Sequence, residues 1–420
     1  MSIEMGLAKG AGAVGGRAPF SPPAEPDEPG AERIARHLRR IARDVERRLG
    51  SAEGSERRIA SVRASDGPPT PDGTFDLYLG VPGSALFLAA LARVDGSSDD
   101  RERCLRAIAP LRRSAAPREA PPNGALTGTA GAVYALSVVA HLLDEPSLLD
   151  DAHRLADRID LRAIAEDRFP DVACGSAGTL LCLLALGPRL DQPGPRGRTP
   201  RDLALRCADR LLVWCGEERR VRSGFSHGAS GVATALARLA AVTGREDLAS
   251  AALRLLARER DRFDAAAGRW TVSEQDPLAS PCSWCFGAPG LALARLAVAE
   301  HVAPSRAAAL REEAETALEQ TLTAPPDGGL DHLCCGVFGR VETLLVAHRL
   351  TGRPDLAEGA RALAHRALDA AEEAGGFRID HPSLAASFFR GVAGIGYALL
   401  RLGGASDLPS PLHFEAPFPP

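Results

Sequence analysis

Nine cysteines punctuate this 420-residue chain, at positions 104, 174, 182, 207, 215, 282, 285, 334 and 335. Cys334 and Cys335 are adjacent in "DHLCCGVFGR", where the short backbone between them cannot easily reach a relaxed disulfide. Cys282 and Cys285 form a C-x-x-C pair in "CSWC". Thiols clustered in this way bind soft metal ions or act as nucleophiles. A solitary histidine, His227 in "GFSHGASG", and an acid, Asp171 in "FPDVACGSAG", have the side chains that proton transfer needs. Other cysteines sit in apolar helical runs such as "GTLLCLLAL", where a free thiol is simply a small core residue.

Metal binding or catalysis requires reduced thiols. The odd cysteine count and an N-terminus without the apolar stretch of a secretory signal point to a cytoplasmic protein. The net charge of −4 and the absence of a basic patch argue against nucleic acid as a partner. No apolar run is long enough to span a bilayer, so an integral membrane protein is not expected. Scarce aromatics, at 5%, with abundant Ala, Leu and Arg, favour helix over strand. Residues 1–30, rich in Gly, Pro and Ala, read as a disordered leader, and 31–73 as an N-terminal helix and connection.

What could gather the reactive residues is a repeat. G-x-x-G followed by an apolar helix occurs seven times, with first glycines at Gly80, Gly128, Gly175, Gly228, Gly287, Gly336 and Gly391. Their spacings are 48, 47, 53, 59, 49 and 55 residues, a repeat architecture. Between them lie charged segments such as "SRAAALREEAETALEQTL", whose apolar residues recur at three and four positions. Each repeat therefore predicts one helix apolar all round and one with a polar face, giving seven inner helices under an outer layer. The alternating strands of a propeller are missing. The first and last inner runs are as apolar as the middle ones, which favours closure into a ring over an open, capped solenoid.

Residues at one offset from G-x-x-G then share one rim. One position before the first glycine stand Leu79, Thr127, Cys174, His227, Phe286, Cys335 and Arg390. Two positions before it stand Tyr78, Leu126, Ala173, Ser226, Cys285, Cys334 and Phe389. Cys285, Cys334, Cys335 and His227 thus fall at equivalent places in repeats four to six, with Asp171 four residues before Gly175 in repeat three. Three converging thiolates suggest zinc with an open fourth position, the arrangement of a catalytic site. The competing reading is a closed structural site completed by Cys282. Cys174 shares the rim register and reads as a small buried residue. His227 reads as functional or merely structural, and Asp171 either caps its turn or orients His227.

The stretches "DLYLGVPGSALFLAAL", "GFSHGASGVATAL", "SWCFGAPGLALARL" and "GVAGIGYALLRL" carry a resemblance to the lanthionine synthetase C-like cyclases. The likeness is greatest to the cyclase domain of class II lanthipeptide synthetases, and it implies a cyclase domain over residues 74–415. The combination W-C-x-G-x-P-G, a vicinal C-C/H-G element and a terminal G-x-x-G is specific. The resemblance implies an all-α fold, an α/α toroid of seven inner and seven outer helices. It implies one Zn²⁺ held by Cys285, Cys334 and Cys335, with His227 as catalytic residue and Asp171 as its acidic partner. The activity implied is closure of thioether rings by Michael addition of peptide cysteines to dehydroalanine or dehydrobutyrine.

This sequence departs from the family pattern in three places. The vicinal pair is Cys-Cys where Cys-His is usual. Phe286 stands where relatives carry Tyr or His, and Pro281 where some carry Arg. Zinc with three thiolates has net charge −1, and −2 once a substrate thiolate joins, which predicts a more nucleophilic site. The roughly 70 residues ahead of the toroid are too few for a dehydratase, so a separate dehydratase is expected to supply the dehydrated precursor peptide. Two other functions fit the same residues. One is addition of a small thiol such as glutathione to dehydroamino acids. The other is a non-catalytic leader-binding scaffold with a structural zinc. A glycosidase on an α/α barrel would need paired carboxylates at one rim, where only Asp171 is placed.

Overall fold

In the computed structural model, residues 28–49, 75–113, 123–217, 222–270, 282–324 and 329–418 are described. The leader expected over 1–30 lies outside them through residue 27, as does the connection over 50–73 and Pro281. The inner helices are α2 (Val81–Asp95), α4 (Thr129–Leu142), α7 (Ser176–Leu184), α9 (Ala229–Thr243), α11 (Ala288–Ala299), α13 (Val337–Thr351) and α15 (Val392–Leu402). They are buried on nearly every side, as in α4, where all residues but His141 are buried. The outer helices α3 (Ser98–Arg113), α5 (Pro146–Ala156), α8 (Pro200–Gly216), α10 (Glu246–Arg260), α12 (Pro304–Thr323) and α14 (Pro354–Glu373) each pack on the inner helix before them. A short helix, α6 (Leu161–Ala165), two 3₁₀ turns (Gly187–Arg189 and Pro382–Leu384) and a hairpin pairing Phe263–Asp264 with Arg269–Trp270 complete the secondary structure among the described residues.

The ring closes. Each inner helix packs on the next, and α15 packs on α2. The seventh outer helix is α1 (Glu28–Leu49), which covers α15 with its buried stripe of Ile34, Leu38, Ile41, Ala42 and Val45. Arg33 bonds Glu372 and Asp369 on α14, and His37 lies 3.0 Å from Glu372 Oε1, fixing α1 beside its neighbour. The chain's last segment turns back across the inner ring. Trp284 Nε1 donates to the Leu412 carbonyl (2.9 Å), Tyr397 Oη to that of Pro409 (2.7 Å) and Arg238 Nη1 to those of His413 and Phe414.

The repeated glycines have a shared physical cause. The first of each pair is the helix N-cap in extended conformation. The second is a site of close approach: a Cβ there would strike the backbone carbonyl six residues upstream, at all seven positions. At Gly178 it would also meet the Cβ of Ala125 in the neighbouring repeat. Gly178→Ala is therefore expected to destabilise the protein by about 1–3 kcal/mol through overpacking, read as a lower midpoint of urea unfolding.

This turn geometry lines up the residues two places before each first glycine into a rim of backbone hydrogen bonds. Tyr78 N donates to Leu126 O (3.0 Å), Leu126 N to Ala173 O (2.9 Å), Ala173 N to Ser226 O (3.2 Å) and Ser226 N to Cys285 O (3.2 Å). Cys334 N then donates to Phe389 O (3.0 Å), and Phe389 N back to Tyr78 O (3.2 Å). Among the described residues the circuit has one missing link, from Cys285 to Cys334.

Candidate metal centre and proton-transfer pair

At that missing link the three thiols converge. Cys285 Sγ lies 3.3 Å from Cys335 Sγ, and Cys335 Sγ 3.5 Å from Cys334 Sγ. All three sulfurs fall within 4.8 Å of one another, with Cys285 and Cys334 buried and Cys335 partly open. Tetrahedral zinc, with Zn–S near 2.3 Å, places its sulfurs about 3.8 Å apart. The donor set and spacing therefore fit a soft dication with small adjustment. Cys282 does not join them: its thiol faces the Gln320 carbonyl at 3.7 Å. Cys174 is also elsewhere, 3.5 Å from Thr127 Oγ1.

His227 stands on the same rim. Its Nδ1 lies 2.8 Å from Asp171 Oδ2, while Asp171 Oδ1 accepts from the Cys174 amide (2.8 Å). Asp171 thus does both things considered for it, holding its own turn and facing the imidazole. The His227 ring stacks on Phe286 at 5.5 Å and 25°, the residue directly after Cys285. The loop carrying His227 starts at Gly224, whose φ of +112° and close contact with the Cys285 carbonyl and Phe286 admit only glycine. Its amide is held by buried Glu259 of α10 at 2.9 Å.

A model of the family described as lanthionine synthetase C-like protein matches residues 71–413. The chain belongs to this family. Among solved structures, nisin cyclase matches with a TM-score of 0.67 and 18% identity, over 89% of this chain and 95% of that one, a likeness of fold. A polysaccharide lyase (TM-score 0.46, 11% identity, 77% of this chain and 97% of that one) and a sugar epimerase from a ruminal bacterium (0.41, 11%, 89% and 98%) are too distant to carry an argument.

Around the thiols of this lanthionine synthetase C-like protein lie polar residues that the sequence did not single out. Tyr78 Oη donates to Cys334 Sγ at 3.2 Å, and burial pushes its phenol pKa up. His332, fully buried, accepts from the Cys335 amide on Nδ1 (3.4 Å). Its Nε2 lies 2.9 Å from Asp380 Oδ2, an ion-pair distance. Asp380 also receives both arms of Arg390, at 2.9 and 2.7 Å, and its carboxyl is held well below the usual range by His332 and then Arg390.

The thiols divide their charge unevenly. Hydrogen bonds with Cys285 and then Cys334 push Cys335 well down against the effect of burial, helped by the nearby Arg390 guanidinium. Cys334 is pushed up by its bonds to Cys285 and Cys335 and by burial. At Cys285 the contact with Cys334 lowers the pKa, but the bond to Cys335 and burial together outweigh it. Of the three, the partly open Cys335 is the thiol pushed toward its charged form. A dication would stabilise the same form of the other two.

Tyr78 and Arg390 occupy the same rim register as the thiols, so periodicity could have found them. His332 stands four residues before Gly336, the offset of Asp171 before Gly175, whereas Asp380 shares no offset with the other site residues.

Proposed function

We propose that this protein is a zinc-dependent, cytoplasmic lanthipeptide cyclase. It would form lanthionine and methyllanthionine rings in a dehydrated precursor peptide supplied by a separate dehydratase. The observation that carries the reading is the convergence of three sulfurs on the rim that also holds the His227–Asp171 pair. Three protein sulfurs leave a fourth tetrahedral position open, and Cys282, turned to Gln320, does not fill it. The Cys-Cys pair also supports kinship with class II synthetase cyclase domains. The proposed domain spans 74–415, with α1 from the preceding segment completing the outer layer.

Cys285, Cys334 and Cys335 would hold the zinc, whose chemistry is to keep a peptide cysteine as thiolate at neutral pH. In the addition, a C–S bond forms at the dehydroamino acid β-carbon and the π electrons move to the α-carbon and its carbonyl. The thiol proton has left, and one proton must arrive at the α-carbon. His227 would move it. Its Nδ1 faces Asp171, so Nε2 is the nitrogen that exchanges the proton, and Asp171 steadies the ring and its charge. Phe286 stacks on the imidazole and restricts its tilt.

The test is incubation of a dehydrated precursor with zinc-loaded protein, followed by alkylation and mass spectrometry to count unreacted thiols. Loss of alkylatable cysteines supports the cyclase. Full alkylation across several precursors, with zinc bound, would move the assignment to small-thiol addition or to a scaffold. His227→Ala is expected to slow ring closure by about 10²–10⁴-fold while zinc content stays at the wild-type level. Equal rates would remove His227 from the mechanism.

A further inference from the structure

The hydroxyl of Tyr78 reaches the thiols from the opposite end of the chain. Cys334 lies 256 positions away in sequence, in the sixth repeat, yet the phenol oxygen is 3.2 Å from its sulfur. Several contacts fix it there. The Tyr78 amide donates to Leu126 O and to Asp76 Oδ1 (2.8 Å), and its carbonyl accepts from Phe389 N (3.2 Å). Its ring stacks on Phe389 at 5.5 Å and 26°, and the residue is only 7% exposed. A buried phenol needs a partner for its O–H, and here that partner is a sulfur.

Building on the zinc reading above, we infer that Tyr78 is a positioning residue for the metal centre, its O–H holding Cys334 Sγ and drawing charge from it. Three thiolates around a dication leave a net charge of −1 before any substrate thiolate arrives. A hydrogen bond donated to one sulfur spreads that charge and fixes the sulfur's direction. A set of two thiolates and one imidazole would carry one negative charge fewer, so three thiolates have the greater need for such a donor. Because Tyr78 sits in the first repeat, the bond also spans the seam where α15 meets α2.

The experiment uses the full chain loaded with cobalt(II), whose sulfur-to-metal charge-transfer absorption reports electron density on the thiolates. Tyr78→Phe removes the hydroxyl and keeps the ring against Phe389. The expected result is a shift of those bands to lower energy and a fall of about 10-fold in zinc affinity by chelator competition. Unchanged bands with affinity within about 2-fold of wild type would overturn the inference. A second probe does not depend on the variant folding. The protein has three tyrosines, and Tyr134 and Tyr397 face the Ser410 and Pro409 carbonyls instead. Replacing all three with a fluorotyrosine strengthens the donor at Tyr78, and the bands are expected to move to higher energy; no movement overturns the inference. A wild-type protein that takes up neither cobalt nor zinc would instead overturn the metal reading on which it rests.

Discussion

With Cys334 replaced by alanine, every cysteine of a dehydrated precursor is expected to remain open to alkylation after incubation. The substitution removes the sulfur that is both buried and hydrogen-bonded by Tyr78. Two thiols then remain, and neither His332 nor Cys282 can replace the third. His332 is engaged by the Cys335 amide and Asp380, and Cys282 faces Gln320. Loss of a supporting partner of a metal ligand typically costs about 10–100-fold in affinity or activity, and loss of a ligand itself is expected to exceed that. Zinc stoichiometry and the alkylation count measure the two effects on one sample. A variant that keeps one equivalent of zinc and closes rings within about 10-fold of the wild-type rate would show that Cys334 is not a ligand.

Arg295→Ala is expected to cost about 3–5 kcal/mol of stability, as breaking one side of a buried ion pair does. Arg295 and Glu259 are both fully buried and joined at 2.8 Å, and Arg295 Nε also donates to Glu313 at 2.9 Å. Its guanidinium rests 5.0 Å from the centre of the Trp270 ring. Removing it leaves the Glu259 carboxylate buried with only the Ser230 hydroxyl and the Gly224 amide as donors. Because that amide opens the loop bearing His227, the loss should appear in ring-closure rate before the protein unfolds. Urea unfolding gives the stability term, and the rate at low urea gives the functional one. A midpoint shift equivalent to less than about 1 kcal/mol would mean that the pair contributes little, as isolated surface pairs do.

Much of the site could be read from the sequence because the repeat converts linear offset into position on a rim. Cys285, Cys334, Cys335 and His227 share offsets within two residues of a first glycine, and the hydrogen-bond circuit shows why. It places the residues of that register side by side around the ring. Tyr78 and Arg390 share the register, but neither side chain announces metal chemistry by type alone. His332 shares the offset of Asp171, four residues before a first glycine, while Asp380 escapes altogether, since it comes from an irregular stretch before α15 that follows no repeat. The seven inner helices were legible from their uniform apolarity. The role of α1 was not, because it has no G-x-x-G partner in its own neighbourhood and finds its apolar counterpart at the other end of the chain.

That partnership constrains the order in which the molecule can assemble. As the chain is synthesised, α1 emerges ahead of α2 to α13, which lie between it and α14 and α15, the elements it binds. Arg33 and Glu372 are separated by 339 positions. Each doubling of a closed loop adds about 0.6 kcal/mol, so this contact carries about 2 kcal/mol more closure entropy than one between repeats some 50 residues apart. The six later pairs of inner and outer helix form by local contact and should come first. The apolar stripe of α1 then waits, exposed, until the seam closes. A chain interrupted before residue 392 would present that stripe and an open flank of the ring together, the state most prone to join its counterpart on another copy.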